Sequence, residues 1–343
     1  MKSIEKIPKE MDVLNLYDIG DLRFEKKETY SLTKDHVLVK IKYCGICSSD
    51  IERVFINGTY HFPTIPGHEM SGQIVAVNDE DEKLLGKKTA IFPLMPCFEC
   101  DACESGEYAQ CSDYNYFGSR CDGGYSEYLL VPKWNLVLFD DKLDYKIAAL
   151  CEPGAVAIHS VNIGDIHEGD NVAISGTGTI GMMIALIAHE KGANVNVIGR
   201  SEESLEFSKS LNFKTLKTAE LENTAFDKVF EVVGNNESIN QSISICDNFG
   251  TVILVGNPKD NVNLDKQIYW KILRKQLILK GIWNSSYNQK INDWKEILEL
   301  MAEGNIPFDS LISKEYPMSE FEEAFDYLRN SENKKLKVMF KNE

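Results

Sequence analysis

Along His36-Val37-Leu38-Val39-Lys40-Ile41-Lys42-Tyr43, apolar and polar side chains alternate with period two, the pattern of a half-buried strand. Short apolar runs at Gln73 to Val77 and Thr89 to Leu94 predict further strands, with turns at Phe62-Pro63 and Ile65-Pro66-Gly67. The first part of the chain therefore reads as a β-rich, barrel-like or sandwich domain with long loops. From about residue 155 the rhythm changes. Asn171 to Ile174, Asn194 to Ile198, Asp227 to Val233 and Thr251 to Val255 predict strands, with helices over Met182 to Lys191 and Ser201 to Leu211. Strands and helices alternating through short loops predict a doubly wound parallel sheet, making this an α/β chain. Helices at Trp294 to Ala302 and Ser319 to Leu328 and a strand at Leu336 to Phe340 follow.

Composition narrows the class. At 343 residues and 43% hydrophobic, the chain can build a large core, and its length favours two domains. A formal net charge of −16 with no basic stripe makes it a poor nucleic-acid binder. No apolar run has transmembrane length and the N-terminus lacks a signal-peptide core, so a soluble, cytoplasmic protein with no membrane partner is expected. An odd set of nine cysteines in a reducing compartment points to thiolate or metal chemistry rather than a disulfide framework.

Cys97, Cys100, Cys103 and Cys111 form C-x2-C-x2-C-x7-C. Four thiolates on one loop can close a tetrahedral shell around zinc and leave no place for water, which makes such a zinc structural. The first three spacings also fit an iron–sulfur run, but the fourth does not and no Cys-Pro follows. A second, open site is suggested by Cys47, by the pair His68-Glu69, and by Glu152 in Cys151-Glu152-Pro153. A thiolate, an imidazole and a carboxylate leave the fourth position to water or substrate, where zinc acts as a Lewis acid. Cys44 is close enough in sequence to compete with Cys47.

Gly176-Thr177-Gly178-Thr179-Ile180-Gly181 is a G-x-G-x-x-G turn between a predicted strand and a predicted helix. Gly176 makes the tight turn, Gly178 admits the pyrophosphate, Gly181 allows close packing, and the helix N-terminus supplies amide donors. The acid expected at the end of the next strand to hold the NAD ribose is missing, since the chain reads Ile198-Gly199-Arg200-Ser201. Arg200 can pair with a 2′-phosphate, so the reading leans to NADP over NAD.

In this order the motifs resemble the zinc-containing medium-chain dehydrogenase/reductase superfamily. That resemblance implies a GroES-like catalytic domain (residues 1–154, with 291–343 returning to it) interrupted by a Rossmann domain (155–290), the active site lying in the cleft between them. It implies two zinc ions per chain, one held by Cys47, His68 and Glu152 and one by the four-cysteine lobe, with Glu69 able to exchange into the catalytic shell. Ser49 stands where a hydroxyl bonds the reacting oxygen and begins a proton relay. Asp50 stands where an acid orients the zinc-binding imidazole, although it also suits a helix cap before Ile51-Glu52-Arg53. Glu52 replaces the histidine that often ends the relay. A homodimer or homotetramer through the Rossmann sheet edge is implied by analogy.

Pro93 to Cys100, Tyr108 to Cys111, Phe117 to Gly124 and Lys271 to Lys275 are similar to one subgroup, the galactitol-1-phosphate 5-dehydrogenases. This implies oxidation of a polyol phosphate such as galactitol 1-phosphate to tagatose 6-phosphate. Arg120, Lys271 and Arg274 are the candidate phosphate cations, with Arg favoured for its bidentate geometry. An unphosphorylated polyol, a pentitol phosphate, and a non-catalytic nucleotide-sensing zinc protein are the alternatives.

Overall fold

The computed structural model describes residues 1–330 and 336–342. The chain divides into two units. One holds Met1–Glu152 and the return segment from Ser286; the other is Pro153–Ser285. These divisions fall a few residues from the expected 154/155 and 290/291.

The first unit is built on an eight-stranded, mainly antiparallel sheet. Its central strand, His36–Ile46, pairs with Glu69–Val77 on one side and Lys337–Lys341 on the other. It is longer than the alternation predicts, and Val37, Leu38 and Val39 are all buried rather than alternating. A central strand is packed on both faces, so strict period two survives only where one face meets water. The predicted strand at Thr89 to Leu94 is two pieces, Lys88–Ile91 and Leu94–Met95. Pro93 stands in the break, where it cannot donate to a ladder. The core of this unit joins residues distant in the chain, including Met11, Val39, Ile74, Phe325 and Phe340.

Register decides what this sheet presents at one end. Gly45 faces Glu69, and Ile46 faces Val338. The end of one strand and the beginnings of its two neighbours therefore meet at one edge, which brings Cys47, His68-Glu69 and Lys337 together although they lie far apart in sequence.

The second unit has a six-stranded, fully parallel sheet. In spatial order its strands are Lys214–Lys217, Asn194–Gly199, Asn171–Ser175, Phe226–Glu231, Cys246–Leu254 and Ile278–Gly281. The order reverses between Asn194–Gly199 and Phe226–Glu231, either side of the first strand, and such switch points are where open α/β sheets bind nucleotides. Among the described residues no helix is long and apolar enough to cross a membrane.

Candidate functional site

The four-cysteine lobe hangs from the pair Leu94–Met95 and Asn115–Tyr116. Phe98 takes a left-handed φ of 63°, and this turn points the Glu99 amide at Cys97 Sγ, 3.4 Å away. The sulfurs of Cys97 and Cys103 are 3.9 Å apart, those of Cys100 and Cys111 3.9 Å, and those of Cys97 and Cys111 3.5 Å. A sulfur tetrahedron around zinc has edges of about 3.8 Å, given Zn–S of about 2.3 Å. The set therefore fits zinc and is too wide for disulfides. Backbone amides of Ser112 and Cys103 lower the Cys100 thiol to about 6, which favours the thiolate a metal needs.

At the sheet edge, ligand atoms of Cys47, His68 and Glu69 all lie within 4.8 Å of one another. Cys47 sits at the N-terminal boundary of the short helix Ser48–Glu52. Asp50 is fully buried and holds this corner together. Its Oδ1 lies 3.1 Å from His68 Nδ1 and accepts from Arg53 Nη1 at 3.1 Å. Its Oδ2 accepts from the Cys47 amide and from Tyr125 Oη, each at 3.0 Å. The two readings of Asp50 are thus joined in one side chain, because it faces the imidazole and also satisfies an amide at the helix start. Burial alone would raise the Asp50 carboxyl, but His68 and Arg53 outweigh it and hold it well below the usual range. Burial would lower His68, and Asp50 reverses this and raises it well above its ordinary value. Ser49 Oγ accepts from Arg53 Nη1 at 2.9 Å.

Glu152 stands outside the convergent set. It opens the helix Cys151–Gly164, and Tyr116 Oη donates to its Oε1 at 3.3 Å. Removal from water raises its carboxyl, and Glu69 pushes the same way against His68. Three side chains at this site carried no sequence signal. Arg53 bridges Ser49 and Asp50, Tyr116 anchors Glu152, and buried Lys337 donates to Glu69 Oε1 at 2.6 Å.

The Gly-rich turn joins the strand Asn171–Ser175 to the helix Thr179–Glu190. A Cβ on Gly181 would fall 2.2 Å from Gly176 O, whereas one on Gly178 would meet nothing within 4 Å. Gly181 is thus required by packing, and Gly178 leaves open space before the helix amides, with Thr179 and Ile180 in the first turn. At the end of the next strand, a Cβ on Gly199 would lie 2.5 Å from Ser204 Oγ. Ser204 and Ser201 bond reciprocally, so a side chain at position 199 would have to displace the Ser204 hydroxyl from that cap. Arg200 is exposed.

Of the phosphate candidates, Arg120 belongs to the first unit. Its guanidinium lies between the rings of Tyr60 (4.3 Å) and Tyr114 (4.4 Å) and donates to Tyr114 O at 3.1 Å. It lines an open cavity of about 640 Å³ with Tyr60, Met95, Asp113 and Asn115. Lys271 and Arg274 belong to the second unit, where Lys271 Nζ donates to Ser244 Oγ and Arg274 lies over the Trp270 ring.

Fold and sites together define a two-unit dehydrogenase with a thiolate lobe, a mixed-ligand metal corner and a dinucleotide turn. Residues 33–141 match the alcohol dehydrogenase GroES-like domain, and residues 179–303 match the zinc-binding dehydrogenase domain. The chain is 32% identical over 313 residues to galactitol 1-phosphate 5-dehydrogenase of Escherichia coli strain K12, spanning 87% of this chain and 90% of that one. It is also 32% identical to D-arabitol-phosphate dehydrogenase of Enterococcus avium, spanning 90% of each. The crystal structure of E. coli galactitol-1-phosphate dehydrogenase superposes with a TM-score of 0.89 at 30% identity, covering 97% of this chain and 100% of that one. The chain belongs to the zinc-containing medium-chain dehydrogenase/reductase superfamily, with the expected GroES-like and Rossmann folds. It is a zinc-dependent oxidoreductase of the alcohol and polyol dehydrogenases and uses a nicotinamide cofactor.

Proposed function

We propose that this enzyme oxidises a polyol phosphate of the hexitol or pentitol class, such as galactitol 1-phosphate, with two zinc ions per chain. The observation that carries the catalytic assignment is the convergence of Cys47, His68 and Glu69 at one sheet edge, with Glu152 outside that set and bonded to Tyr116. Cys47, His68 and Glu152 are the resident ligands in this reading. Since Asp50 faces His68 Nδ1, Nε2 is the nitrogen left for the metal. Zinc bound there supplies Lewis acidity, which lowers the pKa of a bound alcohol. Arg53 donates to Ser49 Oγ, so the Ser49 hydroxyl keeps its own proton for the reacting oxygen.

Arg120 is the phosphate cation we favour. It lines a cavity in the unit that carries the metal corner, with its guanidinium held between Tyr60 and Tyr114. Lys271 and Arg274 belong to the other unit. NADP is the favoured cofactor. Gly199 carries no acid for the ribose, and its register partner on the adjacent strand, Lys217, brings a second cation to that strand end, where it pairs with Glu202. The enzyme acts as a homo-oligomer through the edge strand Ile278–Gly281. Its Ile278 and Leu279, with Tyr269, Trp270 and Leu273 nearby in sequence, are exposed.

The test is turnover of hexitol and pentitol phosphates against the free polyols with both cofactors. The phosphates should be preferred by at least tenfold in kcat/KM, and Arg120→Ala should erase that preference. Equal turnover of the free polyols would overturn the phosphate assignment. A strong NADH preference that Arg200→Ala does not alter would overturn the NADP assignment.

A further inference from the structure

Arg53 opens the turn Arg53–Asn57, which is π-helical and directly follows the short helix Ser48–Glu52. Such wide turns are rare and recur at functional sites. The core holds this one in place. Val54 is fully buried, and its carbonyl accepts from the Gly20 amide at 2.6 Å. The Phe55 ring meets Phe325 at 5.5 Å between centroids, and Arg53 O accepts from the Gly58 amide at 3.0 Å. The Arg53 side chain therefore starts from a fixed point.

Its guanidinium is engaged on one side only. Nη1 donates to Ser49 Oγ at 2.9 Å and to Asp50 Oδ1 at 3.1 Å. Nε and Nη2 carry three of the five N–H groups of an arginine. They have no hydrogen-bond partner among the described residues, and neither is sealed from water. Burial acts against the Arg53 charge, and Asp50, Cys47 and Tyr116 outweigh it. An open donor edge thus stands beside the hydroxyl assigned to the reacting oxygen.

The Ser49 hydroxyl and this edge are two donors about one hydrogen-bond length apart. The two oxygens of a gauche vicinal diol have a similar spacing. A neutral hydroxyl suits the edge better than an anion does. Asp50 already neutralises Arg53, and Glu69 and Glu152 add acids to the same corner, so a phosphate would meet repulsion that a hydroxyl does not. We propose that Arg53 is a specificity-determining residue whose open edge donates to the hydroxyl on the carbon next to the one oxidised, selecting polyols over simple secondary alcohols. This rests on the reading of Ser49 given above. Arg120 answers for the phosphate in that reading, and Arg53 for the diol.

The test uses the zinc-loaded full chain with its preferred nicotinamide cofactor, and hydroxyacetone and acetone as probes. These differ by the one hydroxyl beside the carbonyl. The native enzyme should reduce hydroxyacetone with the higher kcat/KM. Its complex with the oxidised cofactor, in which no turnover occurs, should bind hydroxyacetone about tenfold or more tighter than acetone by calorimetry. Arg53→Lys keeps the charge beside Asp50 but removes the forked edge. It should bring both ratios down by about tenfold, whereas a merely structural loss lowers the two ketones in parallel. Should Arg53→Lys fail to fold, Arg53→Gln takes its place with the same expected loss. Native enzyme that binds the two ketones alike, or a variant that keeps the native ratios, overturns the proposal. The preference for galactitol 1-phosphate over galactitol should stay native in the variant. Its collapse would make Arg53 the phosphate cation and overturn the diol reading. Ser49→Ala separates the two assignments. Full acetone reduction in that variant overturns the reading of Ser49, whereas lost acetone reduction there, with native ratios in Arg53→Lys, overturns the role of Arg53 alone.

Discussion

The two candidate metal corners of this enzyme are built on opposite plans. The four-cysteine lobe draws every ligand from the 15-residue span 97–111, and one left-handed residue and a few amides preset its geometry. The proposed catalytic corner draws on residues 47, 50, 53, 68, 69, 116, 152 and 337, held by sheet register and a buried charge network. A local site is written into the chain and closes completely. A site assembled from distant segments can stay open, because each ligand is restrained by a different neighbour. The geometry of the second corner thus depends on side chains beyond the convergent three, Asp50, Arg53 and Lys337 among them.

The sharpest way to break this contrast is to remove one ligand from each. Cys47→Ser should lower kcat/KM by at least about a thousandfold, since metal polarisation supplies several kcal/mol and each 1.36 kcal/mol is a factor of ten. Bound zinc should fall from two to one per chain by elemental analysis; unchanged activity would remove Cys47 from the site. Cys100→Ser should act through stability instead, because structural zinc binding is folding free energy. A loss of about 3 kcal/mol would lower Tm by roughly 6–12 °C. Activity should decline with the folded fraction and not ahead of it. If Cys100→Ser cuts kcat while Tm holds, the lobe is not purely structural.

What could be read from the sequence follows the same division. The lobe and the Gly-rich turn are contiguous motifs, so spacing alone carried them. Four strands of the parallel unit were legible as short apolar runs, whereas Lys214–Lys217, half lysine, and Ile278–Gly281 were missed. Boundaries were less so, since Cys246–Leu254 begins well before the run at Thr251, and the pattern there includes Asp247 and Asn248. The hairpin Glu10–Asp18 with Asp21–Glu28 was missed altogether, because its second strand is mostly charged and only its partner is buried. Lys337 shows the limit most plainly. It is 268 residues from Glu69, and a lysine opening an apolar strand looks like a solvated edge charge until sheet register places it beneath the metal corner.

Smaller substitutions probe how the scattered site shares its work. Asp50→Asn keeps the shape but removes the charge facing His68, and it should cost about 10–100-fold in zinc affinity or activity. Zinc-stripped protein supplies a sign to check. His68 is raised in the folded state, so its pairing with Asp50 stabilises fully below the ordinary histidine value, near 6.5, and is lost as pH rises through the folded value. The stability gap between native and Asp50→Asn apoprotein should accordingly be wider at pH 6 than at high pH in urea melts. A gap that widens as pH rises would show that the imidazole is not the partner.

Tyr116→Phe should have the smallest effect and sharpen the comparison most finely. Tyr116 Oη gives Glu152 a single bond at 3.3 Å, and a net hydrogen bond of about 0.5–1.5 kcal/mol corresponds to roughly 2–10-fold in kcat/KM. The phenyl ring keeps its packing against His68, 5.8 Å between centroids, so folding and zinc content should not move. The informative reading is the combination with Glu69→Gln. If Tyr116 only steadies Glu152, the two losses multiply, as independent restraints do. If Tyr116 instead decides whether Glu152 or Glu69 takes the ligand position, Glu69→Gln removes the competitor, and Tyr116→Phe should cost little in that background. No substitution in the four-cysteine lobe should behave this way, because its convergent set is four cysteines and includes no carboxylate.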